Sequence, residues 1–211
     1  LRLVPLGIEK DSAADLQAVN NEADYLIITH RDFQPSLQML TMLRQARGLR
    51  VKVVDVQDAY DEIGYGLMSS EAIRDLIAHA YHNWQGPAPG YLLLVGDGTY
   101  DFRHYLANTA PTYLPPYLEM VDRSLGEAAA DNRYVCVSGD DILPDLHLGR
   151  LPANTLAEAQ AMVEKNMAYE FTPAPGDWNR NVLFVADDRA GGGGNFYELS
   201  DTLADGYADP P

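Results

Sequence analysis

The chain has 211 residues, 46% of them hydrophobic and 22% charged, enough to bury a full core, so a peptide-sized, disulfide-stapled or disordered chain is excluded. Its 15 basic and 31 acidic residues sum to a net charge of −16, a field that repels nucleic acid and anionic membranes while suiting divalent cations, basic substrates or plain solubility. A single cysteine, Cys136, permits no internal disulfide and no Cys-rich zinc site, and no apolar run approaches the ~20 residues of a membrane span.

Residues 1–22 mix charge, alanine and short polar runs and are expected to form a connector. The opening Leu1, with neither an initiator Met nor a basic-then-apolar leader, is expected to mark an excised or processed piece. Tyr25-Leu26-Ile27-Ile28-Thr29 is a short apolar run of strand type, followed after His30 by Leu37, Leu40, Leu43 and Ala46 at helical spacing, with Gly48 as the stop. Val51, Val53, Val54 and Val56 predict a second strand. A Gly-interrupted segment then leads to Ser69-Ser70-Glu71, a serine cap with an acid in the first turn, opening a helix that carries Ile73, Leu76, Ile77, Ala80 and Tyr81.

Tyr91-Leu92-Leu93-Leu94-Val95 is apolar at every position, as a strand covered on both faces must be. The rhythm to this point is βαβαβ. From Gly98 to Ala130 the pattern breaks into prolines and aromatics, a long excursion of the kind that carries function or covers a site. Tyr134-Val135-Cys136-Val137 and Leu146-His147-Leu148 predict a short antiparallel hairpin around Gly139-Asp140-Asp141, and Thr155 to Glu158 is a capping box opening another helix. After the break at Pro173, Pro175 and Gly176, Val182-Leu183-Phe184-Val185-Ala186 predicts one more buried strand, and Phe196, Leu199 and Leu203 predict a last helix.

Strands alternating with helices imply an α/β fold with a mostly parallel sheet, whose ligand crevice lies beyond the carboxyl ends of the strands. His30, Asp97 and Asp188 occupy those ends. The run Gly191 to Gly194 lacks the Lys-Ser/Thr of a phosphate loop and has Phe196 where the dinucleotide fingerprint needs Gly, so it is read as a flexible loop. Asp75, His79 and His82 share one helix face but sit opposite the apolar side, which makes them solvated polar residues rather than metal ligands. Cys136, between Val135 and Val137, is read as a core cysteine rather than a nucleophile, since nothing beside it would lower its pKa. The segment Ser138 to Asp145 offers carboxylates and turn carbonyls, hard oxygen donors of the type calcium takes, although its spacing is not that of an EF-hand.

Five segments in order, Ala23 to Ile28, Gly48 to Val53, Tyr91 to Asp97, Leu148-Gly149-Arg150 and Leu183 to Asp188, resemble the gingipain-like cysteine peptidases of the caspase-like clan. The resemblance implies a caspase-like sheet flanked by helices, with residues 23–172 as the first α/β subdomain and residues 173–211 as the incomplete start of the second, catalytic one. It implies that the catalytic Cys and His lie downstream, that the chain is inactive alone, and that Asp188 matches the carboxylate orienting the catalytic His, although Asp stands where gingipains have Glu. It further implies structural calcium at Asp97, Asp141 and Asp145 with the carbonyls of Ser138 and Leu143. The expected partners are a polypeptide substrate of the complete enzyme and the downstream catalytic subdomain, with no nucleic acid and no membrane span, and the expected location is extracellular or cell-surface. The rival readings are a non-catalytic calcium-binding or interaction module with this fold, and a small-molecule binding α/β domain using the strand-end crevice.

Overall fold

The computed structural model describes residues 12–102, 105–124, 126–187 and 194–208. It divides into two compact units, residues 1–170 and 171–211.

The first unit is built on a four-stranded sheet in the order β2-β1-β3-β6, formed by β1 (Tyr25–Thr29), β2 (Val51–Asp55), β3 (Tyr91–Val95) and β6 (His147–Leu151), all parallel. A separate antiparallel pair joins β4 (Leu118–Asp122) to β5 (Gly126–Ala129). The helices are α1 (Gln38–Ala46), α2 (Val56–Glu62), α3 (Ser70–Asn83) and α4 (Leu156–Phe171). Because successive side chains of a strand point to opposite faces, the continuous apolar runs feed two cores at once. Leu26, Ile28, Leu92 and Leu94 pack with Ile73, Leu76 and Ile77 of α3 on one face. Ile27, Leu93 and Val95 pack with Leu40 of α1 and Ala159 and Val163 of α4 on the other.

The helix signals act as their chemistry requires. Ser69 Oγ accepts from Ala72 N to cap α3, and Gly48, at φ +86°, takes the left-handed turn that ends α1. Thr155 Oγ1 accepts from Glu158 N at the start of α4, while Glu158 reaches back to Asn154 N rather than to the capping residue itself. The segment before β1 is tied to the first unit: Glu62 accepts from Ala14 N and Leu16 N at 2.7 Å, and Trp84 Nε1 donates to Leu16 O.

Four elements differ from the sequence expectation. Val56 belongs to a helix, not to the second strand, because the Asp55 carboxylate accepts from Gln57 N and caps α2 there. The segment Asp131–Val135 is a 3₁₀ helix, and Leu146-His147-Leu148 leads into β6, which pairs in parallel with β3. The chain does reverse between them, and Asp145 N donates to Val135 O, but no hairpin ladder forms. β3 offers His147–Leu151 a full parallel ladder, with Leu148 and Leu151 partly buried against the two cores, which outcompetes a local pairing. The antiparallel hairpin of this fold is instead β4 and β5, within the proline-rich excursion. Finally, residues 181–187 form no strand and are exposed, since a strand needs a neighbour for its N–H and C=O groups and the described residues of the second unit hold none. That unit contains α5 (Phe196–Leu203).

Candidate functional site

The carboxyl ends of the parallel strands gather the polar residues of the first unit. His30 follows β1 and caps the 3₁₀ turn after it, its Nδ1 accepting from Asp32 N, with its ring edge-on to Tyr113 at 5.2 Å. Asp97 follows β3. Its Oδ1 accepts from Gly98 N and its Oδ2 from Asn154 Nδ2 at 2.9 Å, while its carbonyl receives both Tyr113 N and Leu114 N. His30 and Asp97 are therefore joined through Tyr113, as their positions at neighbouring strand ends predict.

The crossing of the excursion over this end explains the Gly96-Asp97-Gly98 sequence. A Cβ on Gly98 would lie 2.4 Å from Leu114 O, and one on Gly96, at φ +138°, would lie 3.1 Å from the Tyr113 Cβ. Only glycine lets backbone cross backbone so closely. Arg150 of β6 then fastens the crossing: its guanidinium donates to Gly96 O at 2.9 Å, Leu114 O at 3.1 Å and Pro115 O at 3.2 Å, and is ion-paired with Asp131 at 2.6 Å. Tyr134 OH adds a bond to Pro115 O, and burial pushes that phenol far above its ordinary range. Farther out, the buried Asp101 carboxylate accepts from Tyr105 N, Leu106 N and Thr109 Oγ1 and shapes the rest of the loop.

The remaining polar residues singled out from sequence lie elsewhere. Asp145 Oδ2 accepts from Val137 N and Ser138 N, and Asp141 Oδ1 from Leu143 N, so both carboxylates organise the 138–145 loop. That loop precedes β6, whose His147 pairs with Tyr91 at the amino end of β3, whereas Asp97 lies past Val95 and bonds to Ala153 O at the carboxyl end. The strands between are ~13 Å long at ~3.3 Å per residue, while calcium holds its oxygens at ~2.3–2.6 Å. Asp97 and the segment holding Ser138, Asp141, Leu143 and Asp145 therefore stand at opposite ends of the β3–β6 pair. No group of three or more His, Cys, Asp or Glu side chains suited to a metal occurs among the described residues. Asp188 lies outside the described residues.

Cys136 is buried and donates to Asn132 O and Ile142 O, the core cysteine expected, although in a 3₁₀ cap rather than a strand. None of the other described histidines bonds to the thiol: His79 is engaged with Gln17 O, His82 with the carbonyl of the neighbouring Val137, and His147 is stacked on Tyr91 at 5.4 Å. The described residues therefore contain no thiol–imidazole pair. What they provide is a supported strand-end surface. Asn154, Tyr113 and Asp131 escaped sequence reasoning because each acts through a contact distant in the chain, and Arg150 was visible only as part of a short motif.

The model of peptidase family C25 matches residues 18–209. Among solved structures, dimeric latent PorU from Porphyromonas gingivalis shares 22% identity with a TM-score of 0.61, over 77% of this chain and 17% of that one. The Arg-specific cysteine proteinase gingipain R shares 18% identity with a TM-score of 0.52, over 69% and 28% respectively. The complex of Porphyromonas gingivalis RgpB pro- and mature domains matches with a TM-score of 0.52 over 69% of this chain and 29% of that one. The chain thus spans less than a third of each of these. No match occurs among curated proteins.

Proposed function

This chain belongs to peptidase family C25, and from that premise we propose that it is the first α/β part of a cysteine endopeptidase whose thiol and activating histidine lie elsewhere in the polypeptide. The observation that carries the reading is the family match over residues 18–209, in a chain whose one cysteine is locked into the core. In such an enzyme the imidazole takes the thiol proton, the thiolate attacks the scissile carbonyl, and the amine leaves with a proton from the imidazolium. The residues of the first unit take no part in that transfer. They hold the strand-end surface, through the Gly96-Asp97-Gly98 crossing and its Arg150 clasp, against which the catalytic part and its polypeptide substrate would be placed.

Asp188 is proposed as the carboxylate that orients the imidazole, acting on a group outside this chain. An extracellular or cell-surface site of action is part of the same proposal. It is compatible with the finding that no helix among the described residues is long and apolar enough to cross a membrane. Structural calcium, with Asp97, Asp141, Asp145 and the carbonyls of Ser138 and Leu143 as the residues implied by resemblance, belongs to the same proposal and takes no part in the transfer step.

The test uses the chain and its full-length parent side by side. The parent is expected to cleave peptide amides in a reaction abolished by iodoacetamide, with alkylation mapping to a cysteine other than Cys136, and the 211-residue chain is expected to show none. Thiol-dependent cleavage by the chain itself would overturn the division of labour. A parent without any reactive cysteine would make this a non-catalytic module on a peptidase fold.

A further inference from the structure

Residues 14–21, ahead of β1, form neither helix nor strand and close on themselves. Ala18 N donates to Asp15 O and Asn21 N to Ala18 O, while the Asn21 side-chain amide donates to Asp15 O at 2.6 Å and Ala18 O at 2.9 Å. Asp15 stands at φ +53°, a left-handed conformation that Asp tolerates better than most residues. The segment therefore takes its shape from its own bonds, and its hold on the rest of the first unit comes from a few side chains.

Glu62 supplies the first grip. It is the last residue of α2, where a carboxylate opposes the helix dipole, and its two oxygens instead accept from Ala14 N and Leu16 N, one each, at 2.7 Å. Gln17 Nε2 donates to Glu62 O at 2.8 Å. The Leu16 side chain is 1% exposed and joins the core that holds Ile73, Ile77 and Trp84. Trp84 Nε1 donates to Leu16 O at 2.8 Å and His79 Nε2 to Gln17 O at 3.1 Å. At the far end Lys52 Nζ, 5.5 Å from the centre of the Trp84 ring, donates to Asn21 Oδ1 at 2.8 Å, and Gln85 N donates to Asn21 O. Apart from Leu16 these eight residues are exposed or half-buried, and none is paired in the sheet, so the segment can leave without breaking a strand ladder.

We propose that Glu62 of α2, His79 of α3, Trp84 after it and Lys52 of β2 form a peptide-docking site that residues 14–21 occupy as a tethered ligand, and that the site takes a free peptide of the same chemistry once this strap has left. The occupant is defined by two N–H groups two residues apart for Glu62, a leucine side chain on the second, and two consecutive carbonyls for Trp84 and His79. The tether holds the strap at an effective concentration of ~1 mM or more, so it acts as a built-in competitor. Its release is a local opening rather than unfolding. No residue of the strand-end surface takes part, and the proposal stands whether or not the parent protein cleaves peptides.

The test is fluorescence anisotropy with a labelled peptide of residues 12–22 on the 211-residue chain and on its Leu16→Asp variant, whose strap no longer fills the site. The peptide is expected to bind the variant about tenfold or more tightly than the unaltered chain, with a Kd below ~1 mM. Adding Glu62→Gln to the variant is expected to weaken binding about fivefold, because an amide accepts at only one of its two polar atoms, and the peptide carrying Leu16→Asp is expected not to bind. Equal binding to both chains, indifference to Glu62→Gln, or no binding at about 1 mM by a variant that still melts cooperatively would each overturn the proposal. Hydrogen exchange on the unaltered chain decides the matter independently of how the variant folds. The Ala14 and Leu16 amides are expected to be protected about tenfold or more relative to the free peptide, yet to exchange faster than those of Ile27 and Leu93. Exchange at the free-peptide rate, or only together with Ile27 and Leu93, would refute a strap that docks and releases.

Discussion

Replacing Arg150 by methionine keeps the aliphatic stem in β6 and removes only the guanidinium, which isolates the clasp on the strand-end crossing. Gly96 O and Leu114 O lose the guanidinium donors that reach them at 2.9 and 3.1 Å, whereas Pro115 O retains Tyr134 OH. Asp131, whose side chain is 27% exposed against 16% for Arg150, keeps one bond from Tyr117 N but loses its counter-charge. At ~1 kcal/mol for each orphaned carbonyl and ~1–2 kcal/mol for the half-buried carboxylate, the loss is ~3–4 kcal/mol. For a chain of this size that lowers the melting midpoint by ~6–16 °C.

The assay is urea unfolding followed by tryptophan fluorescence in a Trp178→Phe background, because Trp84 is buried in the first unit and Trp178 is exposed in the second. The midpoint should fall with the slope unchanged. Arg150→Lys should recover less than half of the loss, since an ammonium cannot span two carboxylate oxygens and three carbonyls from one plane. A loss below ~1 kcal/mol for Arg150→Met, or full rescue by lysine, would refute the clasp.

Gly98→Ala is expected to destabilise by more than ~2 kcal/mol, because its methyl would meet a backbone oxygen, Leu114 O, that cannot rotate away; Gly90→Ala, with open space around it, is the control expected to stay within ~0.5 kcal/mol in the same urea titration. The side-chain hydrogen bonds from Arg50 hold the Asp24 pKa at about 2, below its ordinary 3.8. A lowered folded-state pKa means that this contribution is present above ~pH 4 and is lost as pH falls toward 2. Asp24→Asn should therefore lower stability at pH 7 and flatten the acid decline between pH 4 and 2, and parallel acid-unfolding curves for the two proteins would contradict the assignment. Structural calcium at the residues that resemblance implies should raise the melting midpoint by more than ~1 °C at millimolar calcium; a midpoint that stays within ~1 °C, or a rise that Asp141→Asn leaves intact, would sink that part of the proposal.

Much of the fold was legible in local signals. The continuous apolar runs at Tyr25–Thr29 and Tyr91–Val95 announce strands covered on both faces, and Ser69, Thr155 and Gly48 mark helix boundaries because capping is settled by neighbouring atoms. Periodicity also placed His30 and Asp97 at strand ends. It could not say which strands are neighbours. Tyr134 to Val137 has strand composition, yet the ladder that β6 needed lay on β3, some fifty residues earlier in the chain, and pairing energy comes from that partner rather than from propensity.

The same limit governed the candidate site. That Asp97 and the 138–145 segment stand at opposite ends of the sheet follows from the parallel register of β3 and β6, which a linear sequence does not carry. The composition, the burial pattern and the caps were determined by the sequence itself, because each depends on residues a turn or less apart. The Arg150 clasp, the Asp97–Asn154 bond, the glycine crossing and the grip of Glu62 on residues 14–16 were decided only by tertiary structure, because each joins groups that chain distance separates and packing alone brings within reach.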